Sequence, residues 1–167
     1  NPTHIDFFKR TIDLSSHITD QDIIFVGGGN TKSMLAVWKD WGLDMLLREA
    51  YLSGTVMSGV SAGAICWFEK GITDSWAHDL AVMDCLGFVN GICCPHYDEE
   101  PARRPFVESV LKKGLIDHCL SVEGNCALHI KNDKPYRAIN FGKDKNSYNA
   151  TLVDERVLED AFERIDL

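Results

Sequence analysis

Residues 54–67 read GTVMSGVSAGAICW, a short apolar strand that runs through small residues directly into the start of a helix. A strand that feeds at once into a helix is the repeating unit of parallel α/β sheets. The same arrangement occurs earlier, where Ile23-Ile24-Phe25-Val26 leads into Gly27-Gly28-Gly29 and then into a helix capped by Asn30-Thr31. Two consecutive units of this kind predict an α/β fold.

The rest of the chain extends this alternation of strands and helices. Apolar residues at helical or strand spacing predict further elements, which are helices at 5–18, 43–52, 106–115 and 154–162 and strands at 54–60, 89–94, 119–122, 127–130 and 136–141. We see no linker, repeat or low-complexity segment. We therefore expect one domain over residues 1–167, built as a three-layer, mostly parallel sheet with room for antiparallel additions late in the chain.

The composition is that of a soluble globular protein and excludes several classes of function. Hydrophobic residues make up 45% and charged residues 25% of the 167 residues, and the apolar runs are too short for a membrane span. The net charge is −8 and basic residues occur at most in pairs, so we expect neither nucleic acid nor membrane as a partner. Six cysteines without a Cys-x-x-Cys pair favour reduced thiols in a cytoplasmic protein.

The segment Gly59-Val60-Ser61-Ala62-Gly63 matches the pattern G-x-S-x-G between a strand and a helix. A sharp turn of this kind strains the serine backbone and lifts its hydroxyl above the sheet edge, which makes Ser61 the candidate nucleophile. The Ala62 N–H, at the start of the helix, is placed to stabilise an oxyanion, and a second donor can come from the glycines at 27–29. The alternative is a packing turn of small residues.

A serine nucleophile needs a base and an acid that orients the base. Among the six histidines, His96 follows the strand at 89–94, at the edge where open α/β sheets gather their sites. Asp74 and Glu123 are both candidates for the orienting acid, and the residues alone do not separate them. His96 follows Ser61 too closely for an ordinary esterase or lipase, in which several strand–helix units intervene.

Two other readings of these segments lead away from a serine hydrolase. Cys93, Cys94 and His96 suggest a metal site, but neighbouring strand residues point to opposite faces, so we predict buried thiols and no metal. The glycine loop before a helix suggests a nucleotide-binding module, but it lacks the Lys-Ser/Thr of a Walker loop and the spacing of a dinucleotide fingerprint. We expect no cofactor.

Four segments together resemble peptidase family S51, the group of peptidase E and cyanophycinase. They are Ile23-Ile24-Phe25-Val26-Gly27-Gly28-Gly29-Asn30-Thr31, Gly59-Val60-Ser61-Ala62-Gly63-Ala64, Pro95-His96 and Glu123-Gly124-Asn125. The resemblance implies a serine hydrolase with a fold similar to class I glutamine amidotransferases, a flavodoxin-like architecture. It also implies that Ser61 is the nucleophile, that His96 is the base, and that Gly29 and Ala62 supply the oxyanion-hole N–H groups.

The resemblance bears on the acid and on the substrate as well. The aspartate of peptidase E is matched approximately by Asp74, which the resemblance makes the first candidate for the acid, while the later-loop glutamate of some relatives corresponds to Glu123, the second candidate. Peptidase E releases N-terminal aspartate, which implies an arginine after the histidine; in this chain Arg103, Arg104 or neither of them fills that role. With Asn30, these are the candidate substrate-binding residues.

Two features set this chain apart from the family pattern. The acidic run Asp98-Glu99-Glu100 beside the histidine repels an acidic substrate, binds a peptide α-amino group, or is a solvated loop. Family members usually begin with a further strand and helix before the segment that starts here at Asn1, so we expect the sheet to lack that strand.

The sequence thus predicts a serine peptidase that hydrolyses small peptides, with N-terminal aspartate as a candidate preference, acting as a monomer or homodimer. Another serine-dependent amidase on the same site and a catalytically silent small-molecule binder are the alternatives.

Overall fold

The computed structural model describes residues 2–10, 13–76 and 79–167. Ile12, in the first predicted helix, and His78, one of the six histidines, lie outside the described residues. The elements, in chain order, are α1 Leu14–Thr19, β1 Ile23–Val26, α2 Thr31–Asp40, α3 Leu43–Leu52, β2 Val56–Gly59, α4 Ala62–Ile65, β3 Phe68–Thr73, β4 Ala81–Asp84, β5 Val89–Cys94, α5 Arg103–Lys112, β6 His118–Val122, β7 Cys126–Lys131, β8 Lys134–Asn140, β9 Ser147–Val153, β10 Arg156–Ala161 and β11 Arg164–Asp166.

The two strand–helix units at the front of the chain form as predicted. Strands β1 and β2 pair in parallel, with Val26 opposite Gly59, so the glycine loop and the Ser61 turn leave the sheet at the same edge. Helix α2 begins at Asn30, whose side-chain oxygen accepts a hydrogen bond from Ser33 N at 2.9 Å. This cap satisfies an amide that has no partner inside the helix.

The sheets are mixed, which does not confirm the mostly parallel arrangement that we predicted. In the described residues β1 and β2 form one sheet, a second has the order β10-β9-β6-β5-β3-β4, and a third has the order β11-β8-β7. Parallel pairs join β3, β5 and β6, while β4 and β9 pair antiparallel to their neighbours. The observed architecture is therefore a mixed α/β fold.

The helix predicted at 154–162 is wrong, because this segment forms strand β10. Asp154 and Glu155 have positive φ angles of 47° and 62° and make a two-residue hairpin turn that pairs β10 with β9. A turn with both central residues in the left-handed region matches the twist of the flanking strands. Pairing with β9 overrides the helix propensity of this segment.

The helix predicted at 5–18 is shorter than expected, because α1 covers only Leu14–Thr19. The Asp13 carboxylate accepts hydrogen bonds from Ser15 N at 3.0 Å and Ser16 Oγ at 2.7 Å, which fixes the start of the helix at this point. None of the helices in the described part of the chain is long and apolar enough to cross a membrane.

The core lies on both sides of the second sheet. Helix α5 buries Val107 and Leu111 against Ile72 and Cys119. Helices α2 and α3 pack around Trp67 in a separate cluster. Each fully buried side chain of this size contributes about 1.5–3 kcal/mol. These clusters hold the strand ends that carry the site.

Candidate active site

Ser61 lies in the turn between β2 and α4, with φ 56° and ψ −118°. A positive φ is strained for any residue with a Cβ, and such strain persists only where the surroundings enforce it. The enforcing contacts involve glycines: a Cβ on Gly59 would overlap the Gly63 carbonyl, and a Cβ on Gly63 would lie 2.7 Å from the Gly27 oxygen. Both positions of G-x-S-x-G therefore require glycine, because a Cβ at either one would overlap the neighbouring backbone.

The glycine loop after β1 lies against this turn. A Cβ on Gly28 would lie 3.3 Å from the Ser61 Cβ and 3.8 Å from its Oγ. Gly29 has φ 150°, and Ala62 is the buried first residue of α4, so its N–H has no acceptor within the helix. Of the two residues expected to supply oxyanion-hole donors, Ala62 directly follows Ser61, and Gly29 follows the glycine that lies against Ser61.

Asn30, a candidate substrate-binding residue, uses its side chain on the protein itself. Besides capping α2, it donates from Nδ2 to the Ser75 carbonyl at 3.1 Å. This hydrogen bond ties the glycine loop to the segment after β3. Asn30 therefore positions the loop in this structure.

His96 follows β5 and has a positive φ of 54°. Its Nδ1 lies 2.8 Å from Oε2 of Glu99, three residues later in the same turn. A carboxylate on Nδ1 fixes the ring orientation and leaves Nε2 to take and give protons. Ser61 and His96 line the same cavity, as the chemistry of a serine nucleophile and its base requires.

Glu99 is the functional candidate that the sequence reasoning missed as an orienting acid. Its position depends on Gly124, in the loop between β6 and β7, because a Cβ on Gly124 would overlap the Glu99 carboxyl group and lie 2.7 Å from its Cγ. The signal in the sequence was the spacing His-x-x-Glu directly after a strand, together with a glycine in a loop that the folded chain brings close.

The two acids proposed from the sequence have other partners. Glu123 lies on the cavity wall with its side chain 10% exposed, and its carboxylate accepts hydrogen bonds from Arg104 and from Asn146 N, each at 3.0 Å. Asp74 is 71% exposed and lies 4.0 Å from Arg103. The structure thus brings Glu123 to the cavity that holds His96, and places Asp74 outside it.

Arg103 and Arg104, the candidate substrate-binding arginines, are held in protein contacts. Buried Arg103 donates to the Ile72 carbonyl and to Glu100, each at 2.8 Å. Arg104 lies between Glu123 and Glu159 and stacks on Tyr97, 4.4 Å from its ring centre. Burial opposes their charge, but the neighbouring carboxylates outweigh it and raise the pKa of both guanidinium groups. Neither arginine lines the cavity.

Asp98, in the same acidic run as Glu99, holds the loop around Gly124 in place. Asp98 accepts a hydrogen bond from Gly124 N at 2.7 Å and pairs with Lys145 Nζ at 2.5 Å. Burial acts to raise the pKa of Asp98, but these two hydrogen bonds outweigh it and lower the pKa. Asp98 therefore fixes the backbone against which Glu99 rests.

The cavity has a volume of about 940 Å³ and runs between β2 and β7. A volume of this size is at the upper end of the range for small-molecule sites. Of the residues proposed from the sequence, Ser61, His96 and Glu123 line it, and Glu99 joins them.

No group of three or more His, Cys, Asp or Glu side chains within residues 2–10, 13–76 and 79–167 could hold a metal ion. Cys93 and Cys94 are buried, and burial raises the pKa of the Cys93 thiol well above its usual value. A protonated, buried thiol is a poor metal ligand and a poor nucleophile.

This chain is similar in sequence to bacterial proteins that are named as peptidases. The chain is 40% identical over 159 residues to the Bacillus subtilis (strain 168) protein called uncharacterized peptidase YgaJ, an alignment that covers 95% of this chain and 69% of that protein. It is 29% identical over 107 residues to the uncharacterized peptidase Lin0382 of Listeria innocua, covering 60% of this chain and 51% of that protein. It is 30% identical over 95 residues to the uncharacterized peptidase Lmo0363 of Listeria monocytogenes, covering 53% and 46%.

The family model for peptidase family S51 matches residues 2–137. This range contains the Ser61 turn, the glycine loop, His96 and both cavity glutamates. Together with the resemblance of the four segments described above, the match covers most of the chain. The chain belongs to peptidase family S51.

Proposed function

We propose that this protein is a serine peptidase that hydrolyses small peptides through an acyl-enzyme on Ser61. One observation carries the proposal: a serine in a strained strand-to-helix turn shares a cavity with a histidine whose Nδ1 is bound to a carboxylate. A strained serine, a base and an acid are the parts of a serine hydrolase triad.

The mechanism follows from the role of each group. Ser61 Oγ attacks the peptide carbonyl carbon while His96 Nε2 takes its proton, and the N–H groups of Gly29 and Ala62 hold the oxyanion. The C–N bond then breaks, and the leaving amine takes the proton from His96. Water, deprotonated by His96, attacks the ester carbonyl, and the carboxylic acid leaves as Ser61 regains its proton.

Glu99 is our first choice for the acid that orients His96, because it is hydrogen-bonded to the ring at 2.8 Å. Glu123 is the second choice, since it lines the same cavity, although Arg104 and the Asn146 N–H occupy its carboxylate. Asp74, the first candidate from the family resemblance, is third because it is exposed and faces Arg103. Comparing Glu99→Gln, Glu123→Gln and Asp74→Asn by kcat tests this order.

Selectivity for N-terminal aspartate stays a prediction of the family resemblance. It needs a cation that meets the substrate carboxylate, and both candidate arginines already pair with carboxylates of the protein. Hydrolysis of Asp-Leu, Glu-Leu, Leu-Leu and Lys-Leu, followed by ninhydrin detection of the released amines, tests it directly.

The decisive experiment combines turnover with labelling of the nucleophile. We expect the wild-type protein to cleave at least one peptide and to react with a fluorophosphonate at Ser61, and Ser61→Ala to lose both activities while keeping its thermal unfolding transition. Labelling without cleavage of any peptide would point to a different amide substrate. Wild-type protein that neither labels nor cleaves would contradict the proposal.

A further inference from the structure

The cavity beside Ser61 is lined by two strands that each have one edge without a partner strand in the described part of the chain. Strand β2 pairs with β1 along one edge, and β7 pairs with β8 along one edge. Residues 56–59 of β2 and most of β7 line the cavity. Unpaired strand edges present free N–H and C=O groups that an added strand can satisfy.

The backbone of β2 shows which groups face the cavity. Val56 N and Val60 N donate to carbonyl groups of Asp22 and Val26, at 3.0 and 3.1 Å, and so point toward β1 and the residue before it. Because backbone groups alternate along a strand, Met57 and Gly59 present their N–H and C=O groups to the opposite side. This free edge leads directly into Val60 and Ser61.

The two ends of the cavity differ in character. His96, Glu99 and Glu123 lie near the start of β7, because His96 bonds to Glu99 and Glu99 packs on Gly124 in the loop before β7, and Ser61 lines the same cavity. At the other end of β7, Asp133 accepts a hydrogen bond from the hydroxyl group of Tyr51 in α3. The six residues of β7 between them span roughly 20 Å, longer than a dipeptide.

The lining between the two ends is mostly apolar. Its larger apolar side chains include Leu52 of α3, Met57 of β2, Trp67 and Phe88 near β3 and β5, and Leu128 and Ile130 of β7. The acidic residues of the lining are Glu99, Glu123 and Asp133. Two of these three carboxylates lie near His96, which disfavours an acidic side chain there.

We propose that this cavity binds apolar peptides of about four or more residues in extended form, as a strand added between β2 and β7 that presents a carbonyl to Ser61. This inference rests on the proposed peptidase function and names its substrate class. Hydrogen bonds with Met57 and Gly59 fix the register, and the apolar walls select the side chains.

Two peptide series test the inference. The first lengthens Leu-Leu to a pentamer of leucine and valine, and the second has the same lengths with serine and glycine in place of the added apolar residues. We expect kcat/KM, measured by mass spectrometry of the products, to rise at least tenfold with length in the first series only. Equal kcat/KM across lengths, or a preference for acidic peptides, would overturn the inference.

A matched pair of variants tests whether the rise of kcat/KM with peptide length comes from the cavity. Leu52, at the end of α3, is 73% exposed and lines the cavity, whereas Met45 is 62% exposed on the same helix and does not line it. Leu52→Glu is expected to remove the gain in kcat/KM with peptide length, whereas Met45→Glu is expected to keep that gain. Equal behaviour of the two variants would contradict the inference.

Binding without turnover separates this inference from the proposed function. Fluorescence anisotropy of a labelled apolar pentapeptide with Ser61→Ala protein measures peptide binding to the cavity without hydrolysis. We expect binding that Leu52→Glu weakens at least fivefold and Met45→Glu leaves unchanged. No binding by a folded Ser61→Ala protein would overturn the inference even if the wild-type enzyme cleaves dipeptides.

Discussion

A carboxylate oxygen of Glu99 lies 2.8 Å from Nδ1 of His96, in the same turn of the chain. The orientation of the proposed base is thus set within three residues of its own position. We expect Glu99→Gln to lower kcat by about 10²–10⁴-fold with little change in KM, since an amide leaves the geometry but favours the wrong tautomer. Steady-state kinetics on the best peptide of the panel measure this. An unchanged kcat, with a loss in Glu123→Gln instead, would assign the role to Glu123.

Gly124→Ala also tests the contact between Glu99 and His96, because Glu99 packs on Gly124. The added methyl group would overlap the Glu99 carboxyl group and displace it from His96. We expect kcat to fall at least about tenfold in the wild-type background and to change little in the Glu99→Gln background, because the two changes remove one interaction. Additive losses in the double variant would show that Gly124→Ala acts elsewhere.

The strain at Ser61 predicts that two inactivating substitutions differ in their effect on stability. Glycine adopts a φ of 56° without the steric cost that alanine retains. We expect Ser61→Gly to be more stable than Ser61→Ala by about 1 kcal/mol in urea unfolding, although both are inactive. Equal stabilities would mean that the turn is not strained in solution.

Two glycines near the turn form a matched pair for a packing test. A Cβ on Gly63 would overlap the Val26 carbonyl, while a Cβ on Gly27 meets no atom within 4 Å. We expect Gly63→Ala to destabilise the protein by about 2–4 kcal/mol and Gly27→Ala by less than about 1 kcal/mol. Thermal unfolding monitored by circular dichroism distinguishes them, and similar unfolding temperatures would contradict the backbone contact.

The ion pair between Asp98 and Lys145 predicts an acid-sensitive contribution to stability. Although burial opposes the shift, hydrogen bonds from Lys145 and Gly124 hold the pKa of Asp98 below its ordinary value of 3.8. The folded state therefore binds this proton more weakly than the unfolded chain does, so the contribution is present at neutral pH and is lost as the pH falls through the lowered pKa. Asp98→Asn is expected to be less stable than wild type at pH 7, with a difference that shrinks as the pH falls below 3.8 and through the lowered pKa of Asp98. A difference independent of pH would contradict this assignment.

The sequence predicts best where local pattern and tertiary environment agree. Strands 23–26 and 89–94 and the helix at 43–52 have the predicted bounds, because each is an uninterrupted apolar or amphipathic run. The turn at Ser61 was predictable because only small residues fit a sharp turn between a strand and a helix. In these segments every local preference favours the same fold.

The rest of the fold and of the candidate site depends on contacts between residues that are far apart in the sequence. Strand β10 has the composition of a helix and becomes a strand only because β9 pairs with it. Arg104 and Glu123 meet across 19 positions, and Arg104 and Glu159 across 55. A reading of Arg104 as a substrate ligand could not anticipate those partners. Glu99 was passed over because an exposed acidic run is usually solvated, and only Gly124, brought in from the next loop, defines its place.

The contact of Gly63 with the carbonyl groups of Val26 and Gly27 also bears on motion. No side chain lies between these backbones, so rotamer changes cannot alter the spacing between the nucleophile turn and the loop proposed to hold the oxyanion. The two segments are therefore expected to move together as one body. A change in the width of the proposed peptide-binding cavity would then leave the spacing between Ser61 and the glycine loop unchanged.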